Sequence, residues 1–152
     1  MVRNNWKFNH IGVLVGDTER AAKYYETLGI GPFESLEGKL IPIKREVFGR
    51  PAPDVKNRLS LARIGSISIE LVQPISGKST QREFLDTKGE GINHIGFTVD
   101  DLERETTILV KKGFKVMSSG AFSGGGGFAY FDTAGIGGFI IELFQPPPGV
   151  EL

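Results

Sequence analysis

A sequence repeat constrains the fold of this chain more than any other feature. Residues Phe8–Arg20 align without gaps with residues Ile92–Arg104 at an offset of 84, and eight of the thirteen positions are identical. A second pair of similar segments, Ile67–Pro74 and Phe139–Pro146, follows at an offset of 72 residues. Repeats of this kind indicate a duplicated structural unit, so we interpret the chain as two copies of one module.

The two offsets differ by 12 residues, which predicts an insertion of about that length in the first copy. The insertion must fall within residues 31–65, between the helix and the last strand of the copy. The polar, proline-containing stretch Gly49–Asp54 is the expected place.

Each module is predicted to contain a strand, a helix and then several strands. Short β-branched runs open the modules, and Asp17 and Asp101 are suitable N-caps for the helices that follow them. Ser79 is expected to cap a short linking helix. The predicted strands are residues 8–15, 37–46, 58–64, 66–72, 92–99, 115–118, 128–132 and 138–144. The sequence therefore predicts an α+β fold, one domain over residues 1–152, with module one at about 6–75, the linking helix at about 79–89 and module two at about 91–146.

Composition excludes several classes of function. The chain has 18 basic and 18 acidic residues, so it lacks the positive charge that drives nucleic-acid binding. It has no cysteine, which excludes disulfides, thiolate metal sites and cysteine nucleophiles. Neither the N-terminus nor any other segment has the apolar run of a signal peptide or membrane span, so we expect a cytoplasmic location and no membrane partner.

The two histidines of the chain, His10 and His94, occupy equivalent positions of the repeat, and so do Glu70 and Glu142. Side chains alternate between the faces of a strand, which places each His beside a glycine position and each Glu opposite the apolar face. If the first and last strands of a module are neighbours, His10 meets Glu70 and His94 meets Glu142. Pseudo-twofold pairing of the modules then brings all four side chains to one concave surface.

Two neutral imidazoles and two carboxylates carry a charge of −2, which a divalent cation neutralises. Without the cation, we expect repulsion between the carboxylates to make one of them take up a proton. Mixed His and carboxylate ligands suit zinc, cobalt, manganese, nickel or iron. The alternative is that the histidines are hydrogen-bonded core residues and the glutamates are solvated, because duplication copies residues whether or not they are used.

These residues resemble the vicinal oxygen chelate (glyoxalase/bleomycin resistance/dioxygenase) superfamily. The resemblance rests on Asn9–Gly12 and Ile141–Leu143, and it implies paired βαβββ modules that form a cup-shaped mixed sheet around a divalent metal ion. The segment from Ser79 through Lys88 to Phe97 is similar to the methylmalonyl-CoA epimerase branch. By that similarity His10, Glu70, His94 and Glu142 are the metal ligands, with Co²⁺, Zn²⁺, Mn²⁺ or Ni²⁺ as the cofactor.

The resemblance also implies a reaction, an acyl-CoA partner and a homodimer. The reaction is epimerisation of methylmalonyl-CoA, or of a related 2-acyl-CoA, by α-proton abstraction through a metal-stabilised enolate. Glu142 is expected to be one catalytic base. The position of the opposite base aligns near residues 58–60, where no carboxylate stands, which leaves Glu70 or Glu46 as its substitute.

Two alternatives remain open at this point: a glyoxalase-I-like lactoylthiol lyase and a metal-free small-molecule binding protein of the resistance type. Some basic side chains either contact phosphates of coenzyme A or are scattered surface cations. These are Lys39, Lys44, Arg45 and Arg50.

Overall fold

The computed structural model describes all 152 residues and contains one ten-stranded sheet and four helices. The strands are β1 (Lys7–Leu14), β2 (Glu34–Ser35), β3 (Pro42–Val47), β4 (Arg50–Pro51), β5 (Lys56–Ile64), β6 (Ile67–Ser76), β7 (Gly91–Thr98), β8 (Val116–Phe122), β9 (Gly127–Phe131) and β10 (Ile140–Gln145). The helices are α1 (Thr18–Glu26), α2 (Thr80–Lys88), α3 (Leu102–Lys111) and α4 (Ala134–Gly137).

The order of strands in the sheet reflects the duplication. The sheet runs β2-β5-β6-β1-β7-β10-β9-β8-β3-β4, so the four strands of one module are followed by their equivalents in mirrored order. Strands β1 and β7 pair antiparallel at the centre, and each pairs in parallel with the last strand of its own module, β6 or β10. The predicted α+β fold of two equivalent modules is confirmed, and the mixed sheet curls into a half-barrel.

The insertion in module one forms strands β3 and β4. Strand β3 pairs with β8 at the far edge of module two instead of joining its own module. The chain therefore crosses from one edge of the sheet to the other between β2 and β3. The insertion lies within residues 31–65, as predicted, but it centres on the hairpin Pro42–Pro51 and not only on Gly49–Asp54.

The single strand predicted at residues 37–46 is wrong. The run is broken by a turn in which the Lys39 amide donates to the Leu36 carbonyl, and Gly38 has a φ of +80°. A left-handed residue in a closed turn reverses the chain, so the residues before and after it belong to different strands.

The predicted helix caps are confirmed. The side chains of Asp17, Ser79 and Asp101 each accept a hydrogen bond from the backbone amide three residues later. Helix α1 packs on β5 and β6, and α3 packs on β9 and β10, so the helices cover the outer face of the sheet. All four helices are too short to span a bilayer, since the longest, α3, has ten residues.

Two glycines shape the seam between the modules. In the pairing of β1 with β7, Gly12 lies opposite His94 and Gly96 lies opposite His10. A Cβ atom on Gly12 would overlap the imidazole of His94, and one on Gly96 would overlap that of His10. Each histidine side chain therefore lies across the backbone of the other module, which only glycine permits.

We expect Gly96→Ala to destabilise the fold, although alanine in place of a strand glycine otherwise tends to stabilise a protein by restricting the unfolded chain. The added methyl group must displace His10, and overpacking of this kind costs about 1–3 kcal/mol of unfolding free energy. Urea unfolding of the metal-free protein measures the loss.

Gly91→Ala is the matched control, because Gly91 is in the same strand and a Cβ there meets nothing within 4 Å. We expect its unfolding free energy to stay within about 0.5 kcal/mol of the original. Equal stability of the two variants would show that the histidines do not need the glycines.

Candidate active site

All four side chains that the sequence singled out converge in the structure. The ligand atoms of His10, Glu70, His94 and Glu142 lie within 4.8 Å of one another, and all four residues are buried. They extend from β1, β6, β7 and β10, the four central strands of the sheet. We call these four residues the quartet. The alternative that the glutamates are solvated is wrong, because Glu70 is 7% and Glu142 is 5% exposed.

The shortest contact in the quartet runs between the modules. The His10 Nε2 atom lies 2.8 Å from Glu142 Oε2, and His94 Nε2 lies 3.2 Å from the same oxygen. The Oε1 atom of Glu70 is farther away, 3.6 Å from His94 Nε2 and 3.8 Å from His10 Nε2. Glu142 is therefore the shared partner of both imidazoles.

The strand register explains the contacts between modules. The residue opposite Glu142 on β7 is Gly96, whose partner on β1 is His10. Likewise, Glu70 lies opposite Gly12, whose partner on β7 is His94. Each carboxylate reaches a histidine of the other module over a glycine, so the expected pairs within one module are only part of the arrangement.

Two asparagines orient the imidazoles. The Nδ1 atom of His10 lies 2.8 Å from Asn9 Oδ1, and that of His94 lies 2.9 Å from Asn93 Oδ1. The amide oxygen accepts a hydrogen bond from Nδ1–H, which leaves Nε2 of each ring facing the centre of the quartet. Both asparagines belong to the repeat, but nothing in its pattern assigned them this role.

The charges of the quartet determine where its protons lie. Burial alone would lower the pKa of His94, but hydrogen bonds to Glu142 and Glu70 and their negative charges raise the pKa to about 9. Burial would raise the pKa of Glu142, but the charge and hydrogen bond of His10, supported by His94, hold the pKa at about 2. The pKa of His10 is also raised, since the carboxylates outweigh its burial.

Glu142 is therefore not a carboxylate that takes up a proton in the absence of a cation. Both imidazoles lie beside Glu142 and have raised pKa values, so they hold protons next to its carboxylate. This does not change the fit to a metal ion: two imidazole nitrogens and two carboxylate oxygens form a cluster able to bind a divalent transition metal.

A cavity of about 420 Å³ opens above the quartet. His10, Glu70 and Glu142 line it, whereas His94 lies behind them with no exposed surface. The rest of the wall is mostly apolar, as is usual for small-molecule sites. Module one contributes Leu36, Leu59, Leu61 and Val72, and module two contributes Phe122, Phe128, Tyr130 and Phe144.

Tyr130 is a cavity residue that sequence reasoning missed. Its ring meets that of His94 edge-on, with 5.0 Å between centroids, and it pairs with Glu142 across β9 and β10. Burial, followed by the charges of Glu142 and Glu70, raises the pKa of the Tyr130 phenol well above its usual value. The phenol is therefore neutral and a hydrogen-bond donor beside the quartet.

No carboxylate extends into the cavity from β5, where alignment placed the opposite base. Leu61 is the residue that lies across from Glu70. Glu46 does not line the cavity either, and its carboxylate lies 3.4 Å from the Lys44 ammonium. Glu37 does line the cavity, from the turn that follows β2, and the wrongly predicted strand had concealed this position.

Polar groups on both walls are available to a ligand. Of the four basic residues considered for coenzyme A phosphates, only Arg45 lines the cavity. Two further basic residues, Lys56 and Arg58, also line it. On the wall of module one, the buried Asn57 Oδ1 atom has no hydrogen-bond partner. This acceptor is therefore open to a hydrogen-bond donor from a ligand or from water.

Comparison with known proteins places this arrangement in a family. Over 145 residues the chain is 24% identical to the uncharacterized protein YqjC of Bacillus subtilis (strain 168), with 92% of each chain covered. Over 149 residues it is 26% identical to the mitochondrial methylmalonyl-CoA epimerase of Bos taurus, with 95% of this chain and 77% of that protein covered.

A methylmalonyl-CoA epimerase solved in complex with methylmalonyl-CoA and NH₄⁺ has the same fold. Its TM-score is 0.68 at 21% identity, with 96% of this chain and 97% of that chain covered. The family match itself runs over residues 9–131 and spans both modules. This chain belongs to the glyoxalase/bleomycin resistance protein/dioxygenase superfamily.

Proposed function

We propose that this chain is a metal-dependent epimerase that inverts the α-carbon of methylmalonyl-CoA or a related 2-substituted malonyl-CoA. The observation that carries the proposal is the buried quartet at the floor of a largely apolar cavity. The alignment with the Bos taurus epimerase over 95% of the chain supports it.

His10, Glu70, His94 and Glu142 are the proposed metal ligands. Their donor set suits Co²⁺, Zn²⁺, Mn²⁺ or Ni²⁺, and two carboxylates balance the charge of one such ion. When bound, the ion supplies positive charge beside the thioester oxygen, which lowers the barrier to enolate formation.

Glu142 and Glu70 are the proposed proton carriers. They extend from β10 and β6, which flank the central strands β1 and β7 on opposite sides. We place the α-carbon of a substrate bound over the central strands between these two carboxylates. One carboxylate removes the α-proton and the other returns a proton to the opposite face, which inverts the centre. The apolar walls limit the access of water to the carbanion.

The second candidate is a glyoxalase-I-like isomerase that acts on a thiol hemiacetal. The observation that favours it is the carboxylate at Glu70, because a quartet of two histidines and two glutamates resembles glyoxalase-I ligand sets as closely as epimerase sets. Both reactions need a base beside an acidified C–H bond, so the quartet alone does not separate them. A metal-free binding protein of the resistance type has no need of the quartet.

We further propose the domain organisation, the oligomeric state and the location of the protein. Residues 1–152 act as one domain, with modules at about 6–75 and 91–146 joined by the helix at about 79–89. The protein assembles as a homodimer. Its location is cytoplasmic.

We expect the cobalt-loaded protein to exchange the α-hydrogen of methylmalonyl-CoA with solvent deuterium and to invert the centre. Glu142→Gln and Glu70→Gln should each lower the rate of inversion by about 10²–10⁴-fold, since each removes one proton carrier. Mass spectrometry of the recovered thioester measures exchange, and coupled assay of the product stereoisomer measures inversion.

Glu46→Gln is the matched control, because that carboxylate lies outside the cavity, and its rates should be unchanged. Glu37→Gln tests the other carboxylate that lines the cavity. If this variant loses inversion while Glu70→Gln stays active, Glu37 is the second proton carrier in place of Glu70. Absence of exchange by folded, metal-loaded protein contradicts the epimerase proposal. Turnover of the methylglyoxal–glutathione adduct in its place would support the second candidate.

Metal affinity should rise steeply with pH. A metal ion must displace the protons held by the imidazoles, and the pKa of His94 is raised to about 9. We therefore expect Zn²⁺ affinity to increase by roughly tenfold per pH unit for each proton displaced, from about pH 6.5 up to about pH 9. Titration against a competing chelator at several pH values measures the slope.

The stability of the metal-free protein should change in the opposite direction. Because the folded-state pKa of His94 is raised from 6.5 to about 9, its contribution to stability is complete below pH 6.5 and is lost as the pH rises through 9. Chemical unfolding at pH 6.5 and pH 9 should show this loss in the original protein and not in His94→Ala. In the metal titration described before, a Zn²⁺ affinity that levels off near pH 7 would contradict the raised pKa of His94.

A further inference from the structure

Arg45 lies on the cavity wall, on the insertion and apart from the quartet. On β3 it pairs with Gly120 of β8, and Gly120 in turn pairs with Phe128 of β9. A Cβ atom on Gly120 would lie 2.6 Å from the Phe128 ring, so no side chain fits there. The Arg45 guanidinium reaches over the glycine, and its Cζ atom lies 5.1 Å from the centroid of the Phe128 ring.

The charge of Arg45 has no anionic partner in the protein. Its guanidinium makes no hydrogen bond, and no carboxylate lies within ion-pair distance of it. Burial lowers the pKa of Arg45, yet a guanidinium remains protonated at neutral pH. The adjacent Lys44, by contrast, is exposed and lies 3.4 Å from Glu46. Partial burial of an unpaired charge costs free energy unless an anion binds beside it.

The charge balance of the cavity also favours an anion. Three cationic side chains, Arg45, Lys56 and Arg58, face three carboxylates, those of Glu37, Glu70 and Glu142. With His10 unprotonated, as it would be when it binds a metal ion, these charges sum to zero. A divalent cation held by the quartet leaves two positive charges in excess, which suits a ligand that carries negative charge near its reacting end.

We propose that Arg45 binds the carboxylate of the acyl group and thereby selects malonyl-type thioesters over thioesters of monocarboxylic acids. This inference rests on the proposed function and specifies its substrate class. Phe128, beneath the guanidinium, lies two residues before Tyr130, the partner of Glu142. Residues two apart on a strand share one face and lie about 7 Å apart, so Arg45 and the quartet lie near neighbouring positions of the same cavity wall. The phosphates of coenzyme A are separated from the thioester by the whole pantetheine arm.

Arg45 also distinguishes the two candidate functions. The thiol hemiacetal of methylglyoxal carries no carboxylate at its reacting end, so it leaves the guanidinium unpaired. A malonyl thioester satisfies the guanidinium, and its second carboxylate oxygen remains free to face the quartet.

The test compares the binding of malonyl-CoA and propionyl-CoA, which differ by a carboxylate in place of a methyl group. Calorimetry on the zinc-loaded protein gives both dissociation constants. We expect Arg45→Met to weaken malonyl-CoA binding by about 10- to 100-fold, the effect of a lost hydrogen bond between charged groups, and to change propionyl-CoA binding by less than about twofold. Arg45→Lys should retain part of the preference, because it keeps the charge and loses the planar fork.

Lys44→Met is the matched control, since it removes the same charge from the neighbouring residue outside the cavity. Both dissociation constants should stay within about twofold of the original values. An equal effect of Arg45→Met on the two esters overturns the proposal, and so does no effect on either. Malonyl-pantetheine lacks the phosphates of coenzyme A. If Arg45→Met weakens binding of malonyl-CoA but not of malonyl-pantetheine, the guanidinium binds phosphate and the proposal is also wrong.

A second measurement separates this inference from the proposed function. Free malonate and free propionate are titrated into the zinc-loaded protein while NMR follows the Arg45 Nε–H signal. If neither CoA ester binds but malonate shifts this signal and propionate does not, the acyl-CoA proposal fails and the carboxylate site stands. If malonate leaves the signal unchanged, the carboxylate site fails too.

Discussion

The candidate site depends on a close approach of side chain to backbone at the seam between β1 and β7. His10 and His94 each lie over a glycine of the other module, and each carboxylate reaches across the same glycine. A methyl group at Gly12 or Gly96 would occupy the space of an imidazole. The duplication therefore supplies two copies of a His and a Glu. It also places each carboxylate next to the histidine of the other module.

This seam also explains how a charged cluster is kept inside the sheet. The carboxylates of Glu70 and Glu142 are buried, but the imidazoles between them compensate their charge with protons. Asn9 and Asn93 accept from the outer nitrogens and hold the rings in place. A divalent cation that displaces the protons meets ligands that are already oriented, so little rearrangement is needed on binding.

Much of this was predictable from the sequence because the evidence lay in the repeat. The offset between Phe8–Arg20 and Ile92–Arg104 predicted the modules, their pseudo-twofold pairing and the convergence of the quartet. Local signals also sufficed for the caps at Asp17, Ser79 and Asp101, where a side-chain oxygen precedes a helical run.

The features that the sequence did not predict depend on contacts between distant segments. Periodicity could not show that β3 leaves its own module and pairs with β8, because edge pairing is set by the tertiary fold. The same displacement brings Arg45 onto Phe128, and the turn at Gly38 brings Glu37 to the cavity. The sequence contains both residues, but it does not show which residues pack beside them.

The central claim is that four side chains from two modules bind one divalent cation. X-ray absorption at the zinc edge, on protein loaded with a single equivalent of zinc, tests it most directly. The account predicts one zinc ion per chain with two imidazole ligands and oxygen ligands, and one imidazole fewer in His10→Ala. A zinc shell without imidazole, or a folded protein that takes up no zinc, would contradict it.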